Sequence, residues 1–455
     1  MNPSKSIKME EITKRKRLIL FPIPLEGHMN PMLKLADLLY SKGFSITIIH
    51  TQLNSPNPSL HPHFTFRSIP DGLSESEASP KDIVLLFYLF NTKCVQPFKE
   101  CLSSLLSEEP EVACLISDAI FHFTQSVAES FKLPRFVFET GSMTGYAVFS
   151  HFSLLREKGY LPVTQDSQPG KVVTELPPLR IKDLPVIPKG DPEKFFEICV
   201  LIASKIAASD GVIFNTFKDL EEQGMAILQK QYPDLPVFPI GPFHDYEEAS
   251  STSNQSCISW LNTRAPKSVI YVSFGTIAAI TKAQFLEIAW GLSNSNQPFL
   301  WVVRPGLVHG SDWLELLPNR FLENLNGRGH IVKWAPQKEV LSHPSVGGFW
   351  THNGWNSTLE SVCAGVPMIC FPCFGDQMVL ARYVSKVWKI GLQYENEIER
   401  GEIEATIRKL MEEKEGEEIR DRSLKLMEKA NVCCKPGGSS SQCLDALVKH
   451  ILSYE

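Results

Sequence analysis

The sequence predicts an α/β protein built from two doubly wound, parallel-sheet halves. Three observations carry that reading. Leu18–His50 reads strand, loop, helix, strand, the opening of a sheet wound by crossover helices. Two further strand–loop–helix units follow one another between His330 and Gln377. At 455 residues the chain also exceeds what one core serves, since single cores stop growing near roughly 250–300 residues.

Composition narrows the class. Hydrophobic residues are 43% and charged residues 21%, an ordinary globular balance. A net charge of −6 gives no field that would recruit nucleic acid or an anionic membrane. Eleven cysteines, an odd count without a secretory leader, point to reduced thiols and a cytoplasmic protein. Cys370 and Cys373 form a CxxC inside an apolar stretch with no second pair nearby, which reads as core rather than zinc or redox chemistry. The longest apolar run, Ile83–Phe90, falls short of the ~20 residues that span a bilayer. Lys14–Arg17 followed by Leu18–Phe21 imitates a signal peptide, but Pro22 and Pro24 break the apolar run and no small-residue cleavage site follows. Residues 1–17 are therefore expected to be a flexible basic tail, with nuclear targeting or an anionic surface as other uses of the charge.

Taken in order, Leu18–Phe21 is a buried strand and Pro24–Met29 a loop. A helix is expected to follow, with Asn30 as N-cap and Pro31 at its first position. Leu35, Leu38 and Leu39 recur on its core face, Gly43 ends it, and Phe44–His50 is the next strand. Such sheets hold ligands at the carboxyl ends of their strands, where His28 stands. Val112–Ser117 is apolar until its last residue, and Asp118 stands at its carboxyl end on the same sheet edge. Alone, His28 reads as a solvated loop histidine, and Asp118 equally as an N-cap near Ile120. Together they make a general base and the carboxylate that orients it.

The rest of the first domain, 18–243, is less specific. Thr140, with Gly141 and Ser142, follows the strand Arg135–Phe138 and reads as a turn-start hydroxyl. Phe87, Phe90, Phe149, Phe152, Phe195 and Phe196 are either core or an apolar wall for a small molecule. Asp210–Asn215 is a late strand and Pro236–Pro242 closes the domain. Residues 244–256 carry a cluster of Ser, Glu and Asn with no apolar period and are expected to be a mobile linker.

The second domain, 257–435, restarts with the strand Ser268–Phe274, ending in Gly275-Thr276. Thr281 and Gln284 form a capping-box pattern, and Phe299–Val303 is another strand. A strand then enters Trp334, Pro336 opens a helix, and Val346–Trp350 is a second buried strand. The loop Thr351–Gly354 feeds a helix carrying Asn356, Ser357 and Glu360. A loop running into a helix start favours an anion such as a diphosphate. Spacings of three and four put Asn356, Ser357 and Glu360 on one face, able to take phosphate at the start and ribose hydroxyls a turn later. Asp376 and Gln377 follow the strand Met368–Phe371. Singly, Trp334 reads as core, Asp376 as an N-cap and His352 as a satisfied loop histidine. A charged helical stretch, Arg400–Ala430, and a final helix in 436–455 complete the chain.

Trp334–Gln377, reading WAPQ…HNGWNS…GDQ, resembles end to end the signature box of plant family 1 UDP-dependent glycosyltransferases. Asn353 departs from it, standing where many members carry Cys or Ser. The opening GHMNPM, the segment PLRIKDLP at Pro178–Pro185 and HNGWNS are most similar to the group-76 branch. The resemblance implies a GT-B fold, two Rossmann-like domains facing across a cleft, with the last helix crossing back to the first. It implies an inverting transfer of glucose from UDP-glucose to a hydroxyl, carboxyl or amine of a small plant metabolite (terpenoid, hormone or phenolic). His28 would be the base and Asp118 its orienter. Trp334 would stack on uracil and the Ala335 backbone read the base edge, while Gln337 and Glu360 bind ribose. His352, Asn356, Ser357 and Thr276 would hold the diphosphate. Asp376, Gln377, Thr140 and the Trp355 backbone would hold the sugar, the closing Gln pointing to glucose. The acceptor would enter near Gly141, Ser142, Phe87, Phe90, Phe149 and Phe195. No carboxylate cluster suited to Mg²⁺ is visible, so no metal is expected, and the protein should be a monomer that binds no nucleic acid. A non-catalytic UDP-sugar-binding protein is the other reading. An oxidoreductase would need GxGxxG after the first strand, where Pro24–Met29 has one glycine, and a P-loop is absent.

Overall fold

The computed structural model describes residues 16–78, 82–108, 111–163, 167–187, 190–243, 255–308, 314–317, 320–394 and 398–454. These divide into two compact units, the described parts of Met1–Pro162, Lys189–Glu247 and Cys433–Glu455, and the described parts of Val163–Pro188 and Glu248–Val432. The basic tail through residue 15 and the linker through residue 254 lie outside the described residues. Gln255 and Ser256, at the linker's end, already belong to a helix, Gln255–Leu261. Arg17 is no part of a tail either. It is the first residue of a strand, and its guanidinium donates to Thr47 Oγ1 at 2.8 Å.

The first unit holds a seven-stranded sheet: β1 (Arg17–Phe21), β2 (Ser45–Thr51), β3 (Thr65–Ile69), β4 (Val112–Asp118), β5 (Arg135–Glu139), β6 (Gly211–Phe214) and β7 (Val237–Pro239). All neighbours are parallel, in the order 3-2-1-4-5-6-7. Parallel sheets are covered on both faces, so their strands bury successive side chains on opposite sides. β1 does this: Leu18 and Leu20 enter one core, Ile19 and Phe21 the other. The first core takes Met32, Leu35 and Leu39 from the helix Glu26–Ser41. It also takes Leu444, Leu447, Val448 and Ile451 from the last helix, Ser439–Ile451.

The second unit holds β8 (Val269–Ser273), β9 (Phe299–Val302), β10 (Gly329–Val332), β11 (Val346–Thr351), β12 (Met368–Cys370) and β13 (Gly391–Gln393). They run parallel in the order 10-9-8-11-12-13. In each unit the order therefore reverses beside the opening strand, the arrangement of a doubly wound nucleotide-binding sheet. The capping box is formed as the sequence reads: Thr281 Oγ1 accepts from the Gln284 amide and Gln284 Oε1 from the Thr281 amide. The charged stretch is two helices, Arg400–Glu412 and Lys414–Cys433, parted by extended backbone at Glu413.

Further sequence expectations differ from the structure, and Cys433–Lys435, expected in the second domain, group with the first unit. Residues 163–188, expected in the first domain, group with the second unit. The Gly375 amide donates to the Val186 carbonyl at 2.7 Å, Arg382 Nε donates to the Pro178 carbonyl at 3.1 Å, and Arg382 approaches Asp183 at 3.5 Å. The first long helix begins at Glu26, not at Pro31, which lies inside it. Proline there forfeits one rung of the ladder. Glu26 at the positive end of the dipole and the buried Met29, Met32 and Leu33 sustain the helix through it. Among the described residues no helix is long and apolar enough to cross a membrane.

Leu447 is fully buried in the first core. Leu447→Ala is expected to destabilise that unit by ~2–5 kcal/mol, read as a lower urea midpoint of its unfolding.

Candidate active site

The residues singled out in the sequence gather where the strand order reverses. In the first unit this is the carboxyl edge of β1 and β4. The helix after β1 starts early enough to carry His28 in its first turn, its amide donating to the Leu25 carbonyl at 2.9 Å. His28 is thus a helical residue, not a loop one. Its Nδ1 lies 2.8 Å from Asp118 Oδ2 and 2.8 Å from Thr140 Oγ1. Asp118 is wholly buried, while the His28 side chain stays 24% exposed. A buried carboxylate must be hydrogen-bonded to be tolerated, and the other oxygen, Oδ1, accepts from the Ile120 amide at 2.9 Å. Asp118 therefore caps a local turn and orients the imidazole at once; the next helix begins only at Thr124. With the Nδ1 proton given to Asp118, Nε2 becomes the basic nitrogen of the ring.

The expected acceptor residues are mixed. Ser142 is buried and accepts from the Gly145 amide at 2.8 Å as the N-cap of Met143–Ser150. Gly141 donates its amide to Glu139. Phe90 and Phe152 are fully buried core, so they form no exposed wall. Phe149 and Phe195 are half-buried and meet edge to face at 6.3 Å. Phe87 packs at the edge of the other core with Phe90.

In the second unit the reversal lies between β8 and β11. After β10 the chain reaches Trp334, a residue 60% exposed. A core role is thereby excluded, and an exposed aromatic platform remains. Ala335 beside it is buried. Pro336 precedes the short helix Gln337–Leu341 rather than opening it, which makes Gln337 the first helical residue. Gln337 Nε2 donates to Ser357 Oγ at 2.9 Å and to Glu360 Oε2 at 2.8 Å, and its Oε1 accepts from the Tyr271 hydroxyl at 3.3 Å. The structure thus groups Ser357 with the two expected ribose ligands.

The helix Trp355–Ala364 begins behind Gly354, and no side chain caps its start. His352 precedes it with its ring wedged between two glycines. A Cβ on Gly275 would lie 2.6 Å from the ring, and one on Gly354 2.5 Å from Nε2. The buried Nδ1 of His352 has no hydrogen-bond partner among the described residues. Burial, and then the Arg304 guanidinium, bring the His352 pKa down to about 4, so the ring is neutral near pH 7. Asn353 is buried with φ of 61°. That left-handed conformation is one Asn adopts more readily than most residues, which accounts for Asn at a position that departs from the signature box.

After β12, Gln377 is buried, and its Oε1 accepts from the Cys373 and Phe374 amides at 2.8 and 3.1 Å. Asp376 occupies the N-cap position of Gln377–Arg382, yet its side chain makes no cap bond. Thr276 stands in the loop after β8. Sequence reasoning missed two supporting residues. Arg304 donates from Nε to the Gly275 carbonyl at 2.8 Å and from a terminal nitrogen to the Ala278 carbonyl, which shapes that loop. Tyr271 fixes Gln337. The signal for Arg304 was present: a cation just past the carboxyl end of a parallel strand.

The family described as "UDP-glucoronosyl and UDP-glucosyl transferase" matches residues 81–424. UDP-glycosyltransferase 76B1 of Arabidopsis thaliana is 52% identical over 450 residues, 98% of this chain and 100% of that one. Flavonol 3-O-glucosyltransferase UGT76E12, also of Arabidopsis thaliana, is 44% identical over 451 residues, 97% and 98% of the two chains. The solved structure of Phytolacca americana UGT2 complexed with UDP-2fluoro-glucose and pterostilbene superposes with a TM-score of 0.83. It is 27% identical, and the match covers 96% of this chain and 100% of that one. The fold is accordingly GT-B.

The lowered His352 pKa has a sign that can be checked. An imidazole whose folded pKa is about 4 against an ordinary 6.5 binds fewer protons folded than unfolded, so its stabilising contribution is lost as pH falls from 6.5 toward 4. His352→Asn should flatten that limb of the stability–pH curve, and NMR titration should find the wild-type ring neutral above about pH 5.

Proposed function

The chain belongs to the plant UDP-dependent glycosyltransferases, most like their group-76 branch, and on that premise we propose that this UDP-glucosyltransferase moves glucose from UDP-glucose to a hydroxyl, carboxyl or amine of a small plant metabolite. Terpenoids, hormones and phenolics are the acceptor classes of this reading. The observation that supports it best is the buried Asp118 carboxylate 2.8 Å from His28 Nδ1, a general base with its tautomer fixed.

In this reading Trp334 stacks on uracil and the Ala335 backbone reads its edge. Gln337 and Glu360, already bonded to each other, take the ribose hydroxyls, with Ser357 beside them. Asn356, Thr276, His352 and the start of the Trp355 helix hold the diphosphate. The neutral His352 ring has one N–H to donate to a phosphate oxygen, and the dipole end adds to it. Asp376, the Trp355 backbone and the NH₂ of Gln377 bind sugar hydroxyls, and Thr140 adds a hydroxyl beside the base.

The transfer follows. An acceptor hydroxyl is far too weak an acid to attack unaided, so His28 Nε2 takes its proton as the oxygen closes on C1. The new O–C1 bond forms opposite the breaking bond between C1 and the phosphate oxygen, and the anomeric centre inverts. UDP departs with that electron pair, its charge met by the helix start and the His352 N–H. Asp118 stabilises the imidazolium that forms. This arrangement supplies charge stabilisation where Mg²⁺ often does, and we propose that transfer needs no divalent metal.

Wild-type protein and His28→Ala, each supplied with UDP-glucose and a mixed panel of plant hydroxyl, carboxyl and amine acceptors, test the reading by mass spectrometry of the products. The expected result is a glucosylated product whose rate on oxygen falls by ~10²–10⁴-fold in the variant. An amine needs the base less and should lose less. UDP-glucose binding with no product on any acceptor would favour a binding protein without turnover. In a separate assay, EDTA should leave the rate unchanged; its abolition would overturn the metal-free proposal.

A further inference from the structure

A second cluster of functional side chains lies in the first unit, on the same helix as His28 but nearer its other end. Asp37 is nine residues on from His28 in Glu26–Ser41, about 13 Å along the axis at ~1.5 Å per residue. Opposite it stands the turn His61-Pro62-His63-Phe64, closed by the Phe64 amide donating to the His61 carbonyl at 3.1 Å. Proline at the second position suits such a turn, and it sets the two histidines side by side. His63 Nε2 lies 2.9 Å from Asp37 Oδ1 and His61 Nδ1 3.5 Å from Asp37 Oδ2. One nitrogen or oxygen atom from each of the three residues lies within 4.8 Å of the other two.

We propose that Asp37, His61 and His63 form a binding site for a divalent transition cation of the Zn²⁺, Co²⁺ or Ni²⁺ class. Metal–ligand bonds of ~2.0–2.2 Å imply ligand atoms about 3–3.5 Å apart, close to the 2.9 and 3.5 Å that separate the two histidines from Asp37. Two imidazoles with one carboxylate select a borderline cation; Mg²⁺ and Ca²⁺ take oxygen sets. A simple hydrogen-bonded pair uses one histidine. Here a second imidazole faces the other oxygen of the same carboxylate at 3.5 Å without hydrogen-bond geometry.

The ligands are held in advance. The His61 ring is stacked flat on Phe64 at 5.3 Å, and the His63 ring lies 4.4 Å from Tyr40. Phe64 is itself buried in the first core, which anchors the turn. All three ligand side chains remain partly exposed, so an ion has a route in and water can complete its coordination. A bound ion would fasten the 61–64 turn to the helix that carries His28. It takes no part in glucosyl transfer.

Equilibrium dialysis of the full chain with Co²⁺ or Zn²⁺ tests this, alongside His61→Ala/His63→Ala and the near-isosteric Asp37→Asn. The wild type should take up a single saturable equivalent. Removing a direct ligand should weaken it by at least the ~10–100-fold that follows loss of an outer partner. Bound Co²⁺ should show visible bands without thiolate charge transfer, and the ion should raise the melting temperature of the wild type alone. Transfer rates at saturating substrates should be equal in wild type and variants. No uptake by the wild type, uptake that the variants leave unchanged, or a thiolate band assigning the ion to cysteines would each overturn the proposal.

Discussion

The reversal of strand order beside the opening strand of each sheet is the constraint from which the rest of the site follows. Where neighbouring crossovers run in opposite directions, the carboxyl ends of two adjacent strands lose their covering helices. β1 and β4 leave such an edge in the first unit, β8 and β11 in the second. His28 and Asp118 stand at the first, and Gly275, Thr276 and His352 at the second. Polar groups can gather there because the backbone supplies partners no packed face would. Asp118 is tolerable without exposure only because the Ile120 amide and His28 both bond it.

Beneath that edge the first unit keeps a second buried charge. Arg135, at the start of β5, donates to Ser117 and Thr124 hydroxyls, the Gln125 carboxamide and the Lys205 carbonyl. Burial still pulls its pKa down to about 9, with Asp210, Glu129 and Asp118 pulling the other way. Ser117 is bonded to Arg135 and adjoins Asp118 in β4. The position of the orienting carboxylate is thus tied to a polar network inside the sheet as well as to its surface.

Much of this was legible in the sequence for identifiable reasons. An apolar run ending in one polar residue marks the carboxyl end of a parallel strand, which placed Asp118. The resemblance of Trp334–Gln377 to a known signature singled out the residues of the second unit. What escaped had weaker local signals. Pro31 looked like a first helical residue, but a proline can sit within a helix whose other rungs and buried face are sound. The attachment of residues 163–188 depends on Gly375 and Arg382, far away in sequence. Arg304 and Tyr271 act on loops and side chains that only tertiary structure brings near. The paired histidines at 61 and 63 were passed over because their partner, Asp37, lies on another element.

The two histidines of the site are also fixed by opposite means. His28 is held by a bond, and that bond occupies the nitrogen facing Asp118. His352 is held by shape, its ring confined by the bare backbones of Gly275 and Gly354. Confinement of that kind removes rotational freedom before any ligand arrives, while neither nitrogen is spent on orientation. An anion meeting such a ring encounters a donor whose ordering entropy has already been lost during folding. Two absent methyl groups can therefore do for affinity what an added hydrogen bond would otherwise have to do.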